Sequence, residues 1–200
     1  MTTYDLDLLT LINVGEDSDS RESLAPLFLS AYNEAYSLLC NSVLKPEATE
    51  AVQLDGSRRF DPSALQWAVA PGGILAVKSG LDYGPNGAGP AHVHSHYLSG
   101  DGWVAVPGGE AGGTVMVTYR CAPQALEGGA GPGAGSVPEL MPEEFHGALA
   151  SYAAAAFFRV RRKFERMQVW MDAWLEAVQA MRQRQPHGGL RLKDAYRPMP

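Results

Sequence analysis

Residues 142–184 constrain the fold more than any other stretch of the chain. They carry two apolar stripes at helical spacing, separated by a block of cations. The first stripe is Phe145, Leu149, Tyr152, Ala153, Ala156, Phe157 and Val160. The second is Met167, Trp170, Met171, Trp174, Val178 and Met181. Recurrence every three or four residues marks amphipathic helix. Pro142-Glu143-Glu144 opens the segment, with proline at a first helical position and acids facing the positive end of the helix dipole. A single helix here would run to about 40 residues, or ~60 Å. We expect instead two antiparallel helices joined by a tight turn between Arg161 and Glu165, although neither glycine nor proline marks it. The alanines at 153–156 let another helix approach closely.

The N-terminal part also reads as helical. Leu6, Leu8, Leu9, Leu11 and Ile12 make a short apolar helix, broken at 15–20 by Gly15 and residues suited to capping. Leu24, Leu27, Phe28, Ala31, Tyr32, Ala35, Leu38 and Leu39 predict a second helix. Its start is placed near Ser23, because Pro26 fits a first turn, and Pro46 ends it. The middle changes character. Short strands are expected at 51–54, 74–79, 92–98, 103–106 and 114–120, between turns such as Asp55-Gly56 and Pro71-Gly72-Gly73. Residues 103–106 and 114–117 look like a hairpin across a glycine-rich tip. Phe60-Asp61-Pro62 reads as a turn or short helix start. The loop at 128–135 is almost all glycine and alanine, and such a loop needs a partner to hold one shape.

With 200 residues and 46% apolar content, the chain can build one domain with a real core. A net charge of −6 argues against a DNA reader. Cys40 and Cys121 lie far apart with no ligand spacing, and reduced thiols are expected. Asp5 and Asp7 stand where a signal peptide would be basic, so no leader is expected. No apolar run reaches the ~20 residues of a membrane span.

Few residues suggest chemistry. His92, His94 and His96 alternate, so on a strand their rings would share one face and could meet a zinc ion. No carboxylate or cysteine sits beside them, and a solvated strand face is the preferred reading, with no metal and no cofactor. The basic block 159–166 could touch DNA; pairing with acids of a neighbouring subunit is preferred, given Glu16, Asp17, Asp19 and Glu22. Trp170 and Trp174 read as core or subunit interface. No Gly-x-Ser-x-Gly elbow or phosphate loop is present, and no catalytic residue is expected. After residue 185 comes a tail with Leu190, Arg191, Leu192, Lys193, Tyr196 and Arg197, which cannot bury its apolar groups alone.

Four stretches, taken in order, resemble the head-to-tail connector or adaptor family of tailed bacteriophages, including the tail tubular protein A-like proteins. They are Ala31-Tyr32-Asn33-Glu34-Ala35-Tyr36; Phe60-Asp61-Pro62 followed by Ile74-Leu75-Ala76-Val77; residues 115–123; and residues 138–149 running into Tyr152-Ala153-Ala154-Ala155. Together they cover residues 4–184. Asp61-Pro62 departs from the family's leucine-proline, and the loop at 128–135 is longer than the family pattern.

The resemblance implies an α+β fold. In it a helical bundle, with N-terminal helices packed on the C-terminal antiparallel pair, carries a small antiparallel β-sheet insert. Residues 1–185 would form one adaptor domain, with helices in 4–45 and 139–184 and the insert in 50–123, and 186–200 would extend from it.

It also implies a virion structural protein with no enzymatic role. Copies would assemble in the host cytoplasm into a ring of about twelve at the head–tail junction, where contacts that close by rotation make rings. Portal would lie on one side and a tail or neck protein on the other. Genomic double-stranded DNA would pass through the lumen without sequence-specific binding, aided by acidic walls. Leu190, Arg191, Leu192, Lys193, Tyr196 and Arg197 would contact the portal; Arg159, Arg162, Trp170 and Trp174 would join neighbouring copies. No membrane partner is expected. The alternatives are another tail-assembly ring protein, such as a terminator or completion protein, and a histidine-rich metal-binding domain.

Overall fold

The computed structural model describes residues 1–79 and 92–184. It comprises two compact units. Of the described residues, one contains 1–45 and 123–184; the other contains those of 46–122.

The first unit is helical. Helix α1, Thr3–Val14, begins at a capping box in which the Thr2 hydroxyl oxygen accepts from the Asp5 N–H and the Asp5 carboxylate accepts from the Thr2 N–H. It stops at Gly15, whose φ of 74° suits glycine. A 3₁₀ turn at Ser18–Ser20 leads into α2, Arg21–Leu39. Pro26 therefore sits past the first turn, which corrects the expected start at Ser23. Pro26 and Glu22 are both exposed, so water can take the Glu22 carbonyl that the missing N–H frees. A π turn at Cys40–Leu44 and a left-handed Lys45, φ 43°, end the segment.

Helices α3, His146–Val160, and α4, Phe164–Arg184, form the expected antiparallel pair. The turn between them passes through Arg162 at φ 55°, a left-handed position filled without glycine. Helix α3 is the centre of this unit. It packs on α1, α2 and α4, and Tyr152, Phe157, Phe158 and the alanines at 153–156 are all buried. Small side chains let three helices close around it. Helix α1 runs parallel to α3, since Glu16 beyond its end lies 3.9 Å from Arg161 beyond the end of α3. Helix α2 runs the other way. Phe28 near its start meets Phe157 with ring centroids 6.4 Å apart, and the Tyr36 hydroxyl near its end accepts from the Leu140 N–H at 3.0 Å.

The second unit holds seven strands: β1 Glu47–Gln53, β2 Arg59–Phe60, β3 Val69–Ser79, β4 His92–His94, β5 Tyr97–Leu98, β6 Val104–Ala105 and β7 Thr114–Cys121. They form two antiparallel sheets, ordered β1-β7-β3-β4 and β2-β6-β5. Strand β7 is central and alternates cleanly, burying Val115, Val117, Tyr119 and Cys121.

Three expectations need correction here. The hairpin of 103–106 with 114–117 does not form. Strand β6 is paired on both edges by β2 and β5, and β7 by β1 and β3, so the chain leaves one sheet for the other. Pro71-Gly72-Gly73 is not a turn between strands but a bulged stretch inside β3. Gly72 takes φ 64°, and a Cβ on Gly73 would lie 2.6 Å from the Ala70 carbonyl oxygen, so the bulge needs both glycines. The expected strand 92–98 is split between the two sheets, with a break at Ser95-His96.

The loop at 128–135 has its partner within the chain. Ser136 N–H donates to the Glu127 carbonyl at 3.0 Å, closing the loop, and the Thr3 hydroxyl donates to the same carbonyl at 2.7 Å. Thr3 N–H donates to Ser136 at 2.9 Å, and the Arg21 guanidinium donates to the Gly129 carbonyl. The start of α1 thus supplies the contacts that a glycine-rich segment needs to stay ordered.

Candidate assembly surfaces

The turn between α3 and α4 gathers exposed apolar groups and cations. Val160 is 64% exposed, Phe164 62% and Val169 64%. Around them lie Arg159, Arg161, Arg162, Lys163 and Arg166 against the single acid Glu165, in a chain of net charge −6. Single exposed apolar residues are ordinary, but several around one charged turn make a patch of the kind that contacts partners. Arg161 pairs with Glu16 of its own chain and lies 5.1 Å over the Phe157 ring. That pair falls within the chain, where a neighbour's acid was expected. Arg166 sits 5.7 Å over Phe158. Arg159, Arg162 and Lys163 have no carboxylate within salt-bridge distance among the described residues.

Helix α4 is covered on one side only. Of its residues, Val178 and Met181 are buried; Met167, Trp170, Met171 and Trp174 are half-buried. Trp174 lies against Tyr152 at 5.2 Å between centroids, and its indole N–H is shielded from solvent with no acceptor among the described residues. The structure therefore brings Arg159, Arg162, Trp170 and Trp174 onto one hairpin, with the arginines at its tip and the indoles along its flank. The tail residues Leu190, Arg191, Leu192, Lys193, Tyr196 and Arg197 lie outside the described residues.

The histidines do not share one continuous strand. His92 and His94 stack with centroids 6.0 Å apart, and the His94 ring bonds to the Ser79 hydroxyl. His96 lies beyond the end of β4, with Nε2 3.3 Å from the Ile74 carbonyl oxygen. Among the described residues, no group of three or more His, Cys, Asp or Glu side chains is placed to hold a metal ion. Among them, too, no helix is long and apolar enough to cross a membrane.

A buried polar cluster braces the helical unit, and sequence reasoning missed it. Asp7 on α1 pairs with Arg21 of α2 at 3.1 Å, the side chains being 4% and 13% exposed. Arg21 also lies 4.3 Å over the Tyr4 ring and donates to the Gly129 carbonyl. The Tyr32 hydroxyl completes the cluster, 2.8 Å from Thr10 Oγ1. Burial raises the Asp7 pKa above its usual value even with Arg21 beside it, and burial raises that of Tyr32 too. The signal was present in the sequence. Thr3, Asp7 and Thr10 fall at helical spacing on the buried stripe of α1, where polar residues need partners.

No curated protein matches the chain. A family described as SU10 adaptor protein matches residues 2–193. The match takes in both units and the α3–α4 hairpin, and the chain accordingly belongs to the SU10 adaptor protein family, whose members are bacteriophage adaptors.

Proposed function

We propose that copies of this chain form a ring between the portal and the tail of the virion, extending the channel through which DNA passes. The observation that carries the reading is the family match over residues 2–193. An adaptor acts by contact with other head or tail proteins, so its chemistry is that of interfaces and not of a catalytic centre.

Two features support assembly as the activity. The α3–α4 hairpin presents Phe164, Val160 and half-covered indoles beside uncompensated cations, a surface suited to a neighbouring copy. On this reading Arg159, Arg162, Trp170 and Trp174 join copies around a ring closed by rotation, of about twelve copies as the resemblance to the adaptor family implies. The tail, with Leu190, Arg191, Leu192, Lys193, Tyr196 and Arg197, makes a second contact, against the portal or a neighbouring subunit. The tail-side partner is the next neck or tail protein, and assembly takes place in the host cytoplasm. The net charge of −6 keeps DNA from adhering to a wall built of many copies.

The test is attachment. Deleting residues 186–200 should leave the body folded by circular dichroism and abolish co-purification with portal. Purified particles should show the chain at the head–tail junction by electron microscopy. Absence of the chain from mature particles would refute the ring reading.

A further inference from the structure

Among the described residues, the outer edge of strand β1 is open. Leu54 N–H donates to the Gly113 carbonyl and Cys121 N–H to the Pro46 carbonyl, both at 2.9 Å. In an antiparallel ladder those two bonds set the phase. Ala48, Glu50 and Val52 bond to β7, while Glu47, Thr49, Ala51 and Gln53 turn their N–H and C=O groups outward. Among the described residues, no backbone group bonds to that outer row. The edge carries two acids, Glu47 and Glu50, but few of the other usual protections. Residues 47–53 contain no lysine, proline or glycine, and the register with β7 runs unbroken over seven pairs without a bulge. A straight, lightly protected edge of this length is a template for another strand.

The chain itself contains a segment that fits. In Leu190-Arg191-Leu192-Lys193-Asp194-Ala195-Tyr196, apolar and basic residues alternate at the start with the period of a strand. It has seven residues, as β1 does. Its charge is complementary to Glu47, since β1 carries no cation and Arg191 and Lys193 would share one face of the added strand; Glu50 lies on the other face of β1, where its carboxylate accepts from the Tyr119 hydroxyl and the Gln66 N–H. The spacer from Arg184 to Leu190 can reach about 20 Å when extended.

We propose that the open edge of β1 receives residues 190–196 of an adjoining copy as an added strand. This rests on the reading that 186–200 make an assembly contact, and it assigns the receiving surface to the next copy and not to the portal. Main-chain bonds would hold the strand, and Glu47 would favour a basic donor. A donor segment on one side and an acceptor edge on the other make a heterologous contact, the kind that closes into rings.

The experiment uses full-length chains. Ala51→Pro removes one outward N–H and no bond to β7, a position where an edge strand accepts proline; Gln53→Pro does the same at a second site should the first fail to fold, losing besides its N–H the side-chain bond to the Gly112 carbonyl, which lies outside β7. Leu190→Asp with Leu192→Asp disables the donor. A fluorescent peptide of residues 186–200 should bind the donor-disabled chain, and Ala51→Pro in that chain should weaken binding at least tenfold. Mixing the edge-blocked and donor-disabled chains should give one-to-one complexes by sedimentation, though neither associates alone. No peptide binding, or binding indifferent to the edge prolines, overturns the proposal. So does a mixture that stays monomeric, which would leave the edge to the chain's own tail. If edge-blocked chains still form rings on portal, this inference fails and the ring stands. If the peptide binds the edge but particles contain no ring, the ring fails and the edge contact stands.

Discussion

Replacing Arg21 with leucine should be among the most damaging single changes in the helical unit, and replacing Asp7 as well should restore part of the loss. The reasoning starts from their burial, with side chains 4% and 13% exposed at 3.1 Å. Arg21→Leu strands a carboxylate in the interior and removes the donor to Gly129, at a cost of about 3–5 kcal/mol. Asp7→Leu leaves a guanidinium that keeps the Gly129 carbonyl and the Tyr4 ring, and should cost about 2 kcal/mol.

The Asp7 pKa is raised above 3.8, its burial outweighing the attraction of Arg21. The folded chain therefore binds a proton more readily than the unfolded chain. Stability from this group is greatest below pH 3.8 and falls as pH rises through the folded value. An ion pair whose desolvation exceeds its attraction loses little when both members become apolar. The double variant should thus be more stable than the Arg21→Leu chain, with a coupling of about 2 kcal/mol. Urea unfolding of the four proteins at neutral pH, followed by circular dichroism, measures it. Losses that simply add, within about 0.5 kcal/mol, would refute the argument.

Three further outcomes are expected. His146 is buried, its Nε2–H donates to the Met141 carbonyl at 3.0 Å, and burial lowers its pKa below 6.5. Its contribution to stability is present above pH 6.5 and lost as pH falls through the folded value, so His146→Gln should flatten the melting temperature between neutral and mildly acid pH. Gly135→Ala should destabilise by about 2–3 kcal/mol, since the residue has φ 90° and its Cβ would fall on the Thr3 hydroxyl; Gly131→Ala, with open space around it, should leave the urea midpoint unchanged. Tyr119→Phe removes the hydroxyl that donates to Glu50 and accepts from Trp67 N–H, and should lower stability by about 1–2 kcal/mol in the same urea assay.

What could be read from the sequence was what is local. Helix periodicity placed α3 and α4 because each apolar stripe reports on its own few turns. Even their turn was located, although Arg162 supplies the left-handed residue that glycine usually would. Strand positions were legible in part for the same reason, from alternation and flanking turns, though β1 begins at Glu47 where a start at Ala51 is expected, β3 begins at Val69 and not Ile74, and β2 stands where a turn or helix start is expected. Pairing was not, because it is set by distant partners. Strand β7 meets β1, with Glu47 opposite Arg120, and nothing near Thr114 announces that choice over the adjacent β6. Pro71-Gly72-Gly73 was ambiguous in kind, since the same residues make a turn or a bulge, and the neighbouring strand decides between them. At the surface, the hairpin bearing Arg159, Arg162, Trp170 and Trp174 was visible as a pattern. The open edge of β1 was not, because an edge exists only once the sheet order is known.

The bond from Cys121 to Pro46 has a consequence for how such chains can change. It ties Pro46, where the chain enters the strand-rich unit, to Cys121, one residue before Pro46–Ala122 ends, at 2.9 Å, so the polypeptide departs and returns at a single point. Material spliced in anywhere between those residues need not alter the spacing of the helices on either side. Lineages could swap, enlarge or trim this appendage to suit a new neighbour while the helical framework stays as it is.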